Sequence, residues 1–423
     1  MMRLKITGIL LMCFLLVGCT STVIHYDYGE GDEIVLTMWS IATASDAFHS
    51  SYLRAIEDFE EANPGVRIHL ETFDNESYKT KITLAVAANE LPDIFYSWGG
   101  GFSRPFVTSG KVLDLTSFYA EFEEDLPRRM LRNVTFGDKI FGSVINAPIS
   151  MLFYNEALFR QYHVPVPTNW DEWIIACQIF IENDITPISI SAQDTWVIAM
   201  LHDALTLRAA GPTIVQSVLS KQGIYSYDSE FFLPSARMLR ELVEINAFPR
   251  YATLLSNDEA LIYFLHGYAA MMVSGNWTAS SIWTDAENPY DFAVTPVPAV
   301  WPGSVINDFM GGAADVLMVS ASTRHPEIAG RAVFEISRSI SQYAYLDGAA
   351  TPTWRVVYDD ARVNPLARRI AEYATNARSM TLWFDRFLEA RDAEAYLNYL
   401  HKLFVGDVTP EEFVSLMAEQ LVP

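Results

Sequence analysis

Cysteine is nearly absent: three in 423 residues, at positions 13, 19 and 177. A disulfide-stapled scaffold is therefore excluded. Cys-x-x-Cys and His-x-x-x-His spacings are missing, so nothing supports metal-assisted hydrolysis, and no metal ligands are assigned. Gly-x-Ser-x-Gly, the turn that presents a hydrolase serine, is also missing. So is the Gly-x-Gly-x-x-Gly spacing of a dinucleotide site, and no cofactor is expected. Cations are scarce, with 29 Lys and Arg against 52 Asp and Glu, a net charge of −23. Such acidity repels a phosphate backbone and argues against nucleic acid as a partner. Long apolar runs are lacking too. The one notable stretch, Ile6 to Val17, falls short of the roughly 20 residues a membrane-spanning helix needs.

That stretch is informative for what surrounds it. Arg3 and Lys5 precede it, and Leu16-Val17-Gly18-Cys19 closes it. A basic start, an apolar core and small residues at a cleavage point make an export signal. Leu-Val-Gly-Cys resembles the bacterial lipobox, after which cleavage leaves Cys19 at the N-terminus carrying lipid. Residues 1–18 are then a signal peptide and 19–32 a lipidated tether. Losing Arg3 and Lys5 takes the net charge from −23 to −25. Two acyl chains, at about 0.8 kcal/mol per buried CH₂, hold a protein on a membrane it does not span. The expected location is extracytoplasmic and lipid-anchored, in a periplasm or on a cell surface. Cys177 is left without a partner. It shares helical spacing with Trp170, Trp173, Ile174 and Ile181, which reads as a buried structural thiol.

Hydrophobic residues make up 50% of the chain, ample for packed cores. The length exceeds the roughly 250–300 residues at which a single core stops growing, so two domains are expected. Residues 33–40 read as a strand. A helix follows Ser45 and Asp46, with Tyr52, Ala55, Ile56 and Phe59 at i, i+3, i+4 and i+7. A strand at 66–70, a helix over 77–89 and a strand from Pro92 continue the alternation, the mark of an α/β domain with a mainly parallel sheet. Further on, Thr168 to Asp171 resembles a capping box, and Ser256 to Glu259 and Thr409 to Glu412 are full ones.

Taken in order, several motifs resemble the extracellular solute-binding proteins of ABC importers, the sugar-binding family 1 kind. They are Leu36-Thr-Met-Trp-Ser40, Phe59-Glu-Glu-Ala-Asn-Pro-Gly-Val66, Leu91-Pro-Asp-Ile94 and Gly110-Lys-Val-Leu-Asp-Leu115 in the first part. Leu152-Phe-Tyr-Asn-Glu-Ala-Leu-Phe159, Pro167-Thr-Asn-Trp-Asp-Glu172 and Gly267 to Trp277 follow. The resemblance implies a two-lobe α/β fold of the periplasmic-binding-protein type (type II-like), with hinge crossovers and ligand in the interlobe cleft. Lobe one would be 33–143 plus 299–350, and lobe two 144–298 plus 351–423. The crossovers would lie near 143–149 and 292–299. The implied role is to bind a carbohydrate and hand it to ABC permease subunits, as a monomer and without chemical change. A polyamine, a peptide or a phosphodiester are other solutes such a fold could carry. An exported glycoside hydrolase, or an adhesin reusing the fold, are further alternatives.

Sugar sites need flat apolar faces and fixed polar groups. Four tryptophans follow expected strands, where α/β crevices open: Trp39, Trp98, Trp196 and Trp277. Core packing is the competing role for each. Ser40, Asp46, Ser150, Asp194, Asn276 and Asp308 are the polar candidates. Asp46 competes with a helix-capping role and Asn276 with a turn-forming one. The family often has an acidic residue near Ser150; Ala147-Pro-Ile-Ser150 lacks it.

Overall fold

The structure is a computed structural model and describes residues 33–228, 230–355 and 358–422. The expected signal peptide, the tether and Cys19 lie outside the described residues. In chain order the strands are β1 (Ile34–Ser40), β2 (Val66–Thr72), β3 (Ile94–Trp98), β4 (Thr135–Phe136), β5 (Lys139–Ile140), β6 (Ser143–Asn146) and β7 (Ser150–Asn155). Then come β8 (Thr186–Ser189), β9 (Ala269–Gly275), β10 (Phe292–Thr295), β11 (Asp308–Met310), β12 (Asp315–Val319) and β13 (Ser379–Thr381).

The first sheet runs β2-β1-β3-β12-β6. β1 is parallel to β2 and β3, and β12 runs antiparallel to β3 and β6. Helices His49–Ala62 and Asn75–Ala88 make the crossovers. The first buries Tyr52, Ala55, Ile56 and Phe59, the i, i+3, i+4, i+7 stripe of the sequence. Asp74 starts the second by accepting the Ser77 N–H at 2.9 Å. β3 is buried along its whole length, as befits a strand covered on both faces.

The second sheet runs β10-β7-β9-β8. Helix Thr195–Ala210 is buried without interruption from Val197 to Arg208, so it has no solvent face to pattern. Helices Ala390–Val405 and Pro410–Gln420 pack into the same core. Two caps follow the sequence: Ser256 with Glu259 and Thr409 with Glu412 form full capping boxes. The third shifts by one residue. Asn169, not Thr168, takes the N-cap, accepting the Glu172 N–H at 3.0 Å.

The chain passes between the sheets at 147–149 and again at 311–314, and the two passages lie side by side. Gly312 N–H donates to Pro148 O at 2.9 Å, and Ile149 pairs with Gly311. Gly311 has φ +138°, and a Cβ there would stand 2.0 Å from Pro148 O, so only glycine fits this close approach. Residues 292–299 were expected as a crossover, and this placement is corrected. Residues 292–295 are β10, paired with β7 inside the second sheet. The reason is packing: Phe292 and Val294 are buried, with Phe292 5.1 Å from Phe264. Arg208 holds the excursion that follows, donating to the carbonyls of Val297, Val305, Ile306 and Asp308. At the other end, Trp354 still belongs to the first core, its indole N–H donating to Val144 O at 2.8 Å.

Candidate ligand-binding cleft

Between the two sheets lies a cleft of about 440 Å³, within the usual range for small-molecule sites. Strand ends supply its walls. From the first lobe come the loop after β1, with Asp46 and Phe48, the start of helix Asn75–Ala88, Trp98 at the end of β3, and Asp315 at the start of β12. From the second come Asp194 and Trp196 after β8, Asn257 and Asp258, and Trp277 after β9. The turn Trp383 to Arg386 completes the lining.

Trp196 and Trp277 face one another as a tilted pair, centroids 6.5 Å apart and planes at 60°. Both are half-buried, leaving ring surface to the cleft. Gly275 makes the Trp277 position possible: a Cβ there would stand 2.1 Å from Trp277 Cζ3. Trp98 is more enclosed. It stands edge-on to Tyr96 and to Phe102, each at 5.0 Å. The Arg386 guanidinium carbon lies 4.3 Å from its ring centroid, a cation–π contact.

Carboxylates are the other main feature. Burial pushes Asp46 up to about 6, and the charges on Asp315 and Asp258 push the same way; the Phe48 N–H at 2.8 Å opposes them. Burial also raises Asp315, against hydrogen bonds from Tyr96 Oη at 2.9 Å and Asn146 Nδ2 at 3.0 Å. Asp194 is raised by burial as well, although its Oδ2 accepts the Asn257 N–H at 2.7 Å. Asp194 occupies the N-cap position of helix Thr195–Ala210 without capping it. Its carboxylate serves the neighbouring helix, Asn257–Leu265, instead.

Of the ten sequence candidates, Asp46, Trp98, Asp194, Trp196 and Trp277 converge on the cleft. Five do not line it. Trp39 packs against Phe73 at 5.7 Å, beneath the Lys81 ammonium. Ser40 is buried and its Oγ accepts the Ala42 N–H. Ser150 accepts the Trp383 indole N–H at 2.8 Å, so it orients a cleft residue without facing the cleft. Asn276 donates to Asn146 Oδ1 at 3.3 Å and to Ala349 O at 3.0 Å, joining the end of β9 to the first lobe. Asp308 is buried against Arg378 and Ser379, where β11 meets β13.

The residues that sequence reasoning missed are Tyr52, Asp258, Asp315, Trp383, Asp385 and Arg386. Asp315 left a signal: a lone acid heading the apolar run Val316 to Val319. The Trp383 to Arg386 turn left none, because it lies in a tail that reads only as helices.

A family model described as bacterial extracellular solute-binding protein matches residues 46–334. The chain belongs to this family. A solved structure reported with xylan utilization by the thermophilic bacterium Caldanaerobius polysaccharolyticus is 32% identical, with a TM-score of 0.87, covering 91% of this chain and 99% of that one. A chitin oligosaccharide binding protein is 23% identical, with a TM-score of 0.84, covering 92% and 98%. The multiple sugar-binding protein of Streptococcus mutans is 20% identical over 358 residues, 82% of this chain and 81% of its own. This solute-binding protein therefore has the two-lobe α/β periplasmic-binding-protein fold and is a binder, not an enzyme. The hydrolase alternative falls with that finding. No helix among the described residues is long and apolar enough to cross a membrane, and none of their His, Cys, Asp and Glu side chains cluster to hold a metal ion.

Proposed function

We propose that the protein binds a sugar or oligosaccharide in the interlobe cleft and delivers it to an ABC import permease. The observation that carries this reading is the Trp196–Trp277 pair, set among carboxylates at the strand ends of both lobes. An indole face covers the C–H side of a sugar ring, and carboxylate oxygens accept its hydroxyls. Two buried aromatic faces plus several hydrogen bonds of about 0.5–1.5 kcal/mol each reach the roughly −8 kcal/mol of a micromolar complex. The relative reported with xylan utilization and the chitin oligosaccharide and multiple sugar-binding proteins support the same class.

In this reading Asp46, Trp98, Asp194, Trp196 and Trp277 contact the ligand. Trp39, Ser40, Ser150, Asn276 and Asp308 hold the walls and the hinge. The protein works as a monomer outside the cytoplasmic membrane, tethered through lipid on Cys19. Residues 33–146 and 312–354 move as one lobe, and residues 150–310 with the C-terminal helices as the other, closing on the ligand.

A cationic solute such as a polyamine is a second reading, favoured by the excess of carboxylates in the cleft. A thermal-shift screen against xylo-, chito-, malto- and galacto-oligosaccharides, with spermidine alongside, separates the two. A ligand at about 100 times its dissociation constant stabilises by about 2.7 kcal/mol. Stabilisation by spermidine and by no sugar would overturn the first reading.

A further inference from the structure

The cleft is lined by seven carboxylates and one guanidinium. Several of these charges are already engaged. Asp74 caps its helix, Glu76 pairs with Lys79 at 2.7 Å, and Asp385 lies 3.4 Å from Arg386. Asp315 takes its two hydrogen bonds from Tyr96 and Asn146. Three carboxylates remain. Asp46 from the first lobe and Asp194 and Asp258 from the second make no ion pair with any described residue. Each has oxygen lone pairs left over for a ligand, since each accepts at most one or two hydrogen bonds from the protein.

Positive features oppose this field: the starts of helices Asn75–Ala88, Thr195–Ala210 and Asn257–Leu265, the Lys79 ammonium, which is paired with Glu76, and Arg386. The N-terminus of helix Asn257–Leu265 carries about half a positive charge, but Asp194 already takes its first N–H. Arg386 is stacked on Trp98, buried and beside Asp385. Its planar fork is not presented as an open receptor for a ligand carboxylate. A second observation points to a hydroxyl-rich guest: the buried Tyr52 hydroxyl reaches no partner in good hydrogen-bond geometry, with Ser40 the polar side chain beside it.

We propose that Asp46, Asp194 and Asp258 act as a charge filter, making the cleft accept sugars without negative charge and reject uronic acids. This rests on the sugar-binding reading above and deepens it. A hydroxyl donates into each free carboxylate oxygen, whereas the carboxylate that replaces the C6 hydroxyl in a uronate can only accept and meets like charge from both lobes at once. Closure aggravates the mismatch, because it excludes the water that would screen it.

The test uses the mature protein in a thermal-shift and calorimetric series. Neutral trisaccharides of glucose, mannose and galactose are compared with the corresponding triuronates, xylotriose is compared with xylotriose bearing one glucuronic acid, and each acid is compared with its methyl ester. The expected result is at least a tenfold weaker affinity for each free acid than for its bound neutral parent, with the ester recovering most of the loss. In Asp194→Asn/Asp258→Asn protein the gap between acid and ester narrows several-fold. A free acid that binds as tightly as its parent overturns the filter. So does an ester that binds as poorly as the acid, because bulk would then be the cause. Failure of every saccharide to bind would instead overturn the sugar-binding reading itself.

Discussion

The Arg386 guanidinium lies over the Trp98 ring at 4.3 Å, and in doing so joins a turn anchored in the second core to a strand end of the first lobe. The same turn reaches across through its backbone: Gly101 N–H donates to Arg386 O at 2.8 Å. Its own footing is Asp203, fully buried, which accepts the Phe384 N–H at 2.8 Å and the Tyr396 hydroxyl. A cation–π contact of this kind is worth about 0.5–2 kcal/mol. Arg386→Met should raise the dissociation constant of a bound oligosaccharide by about 3- to 30-fold. Calorimetry checks this; an unchanged constant would make the stacking irrelevant to binding.

Trp277 presents its ring to the cleft beside Trp196. Losing a buried aromatic face costs roughly 1.5–3 kcal/mol, so Trp277→Ala should weaken binding about tenfold or more. Trp39→Ala, by contrast, should leave affinity within about twofold, because Trp39 packs outside the cleft lining. Parallel titrations of the two variants make the comparison.

Asp46 gives the account a pH dependence. Its carboxyl titrates at about 6 in the folded protein against an ordinary 3.8. The folded state thus holds the proton more tightly than the unfolded chain. Below 3.8 both states are protonated and there is no penalty. Between about 4 and 6 the unfolded chain has released the proton while the folded state keeps it, so folding must take a proton up and stability falls as pH rises. Asp46→Asn mimics the protonated form. It should gain stability over the native protein as pH rises through that window, reaching about 1–3 kcal/mol above pH 6. Denaturant unfolding at pH 4 and pH 7.5 measures it; an equal difference at both values would rule out Asp46 as the source.

Gly311 sits where the two passages between lobes touch. A Cβ there meets Pro148 O at 2.0 Å, and φ is +138°. Gly311→Ala should therefore destabilise the fold by more than the usual 1 kcal/mol of a point substitution. A melting temperature within a degree or two of the native value would show that the hinge tolerates displacement.

The sequence made the fold legible where local patterns are strong. The Tyr52–Phe59 stripe, the strand at 66–70 and the capping boxes at Ser256 and Thr409 all appear as read. β10 was missed because the crossover at 292–299 was carried over from the family resemblance, and a strand of only four residues, Phe292–Thr295, has too little pattern to oppose it. Among the site candidates, tryptophans following strands could be listed but not sorted. Trp39 and Trp277 are both half-buried, and only the fold distinguishes Trp277, which lines the cleft, from Trp39, which packs against Phe73 and Lys81 away from it. Asp308 illustrates the limit: its partner Arg378 lies 70 residues away, and no local pattern announces that pairing. Asp385 and Arg386 enter the cleft through Asp203, Tyr396 and Gly101, contacts that exist only after the tail has docked.

The most direct measurement is a crystal structure of the mature protein grown with the oligosaccharide that stabilises it best. The account predicts a sugar ring seated against Trp196 and Trp277, with hydroxyls donating to Asp46 or Asp194. A saturating sugar bound elsewhere, with both indoles bare, would contradict it.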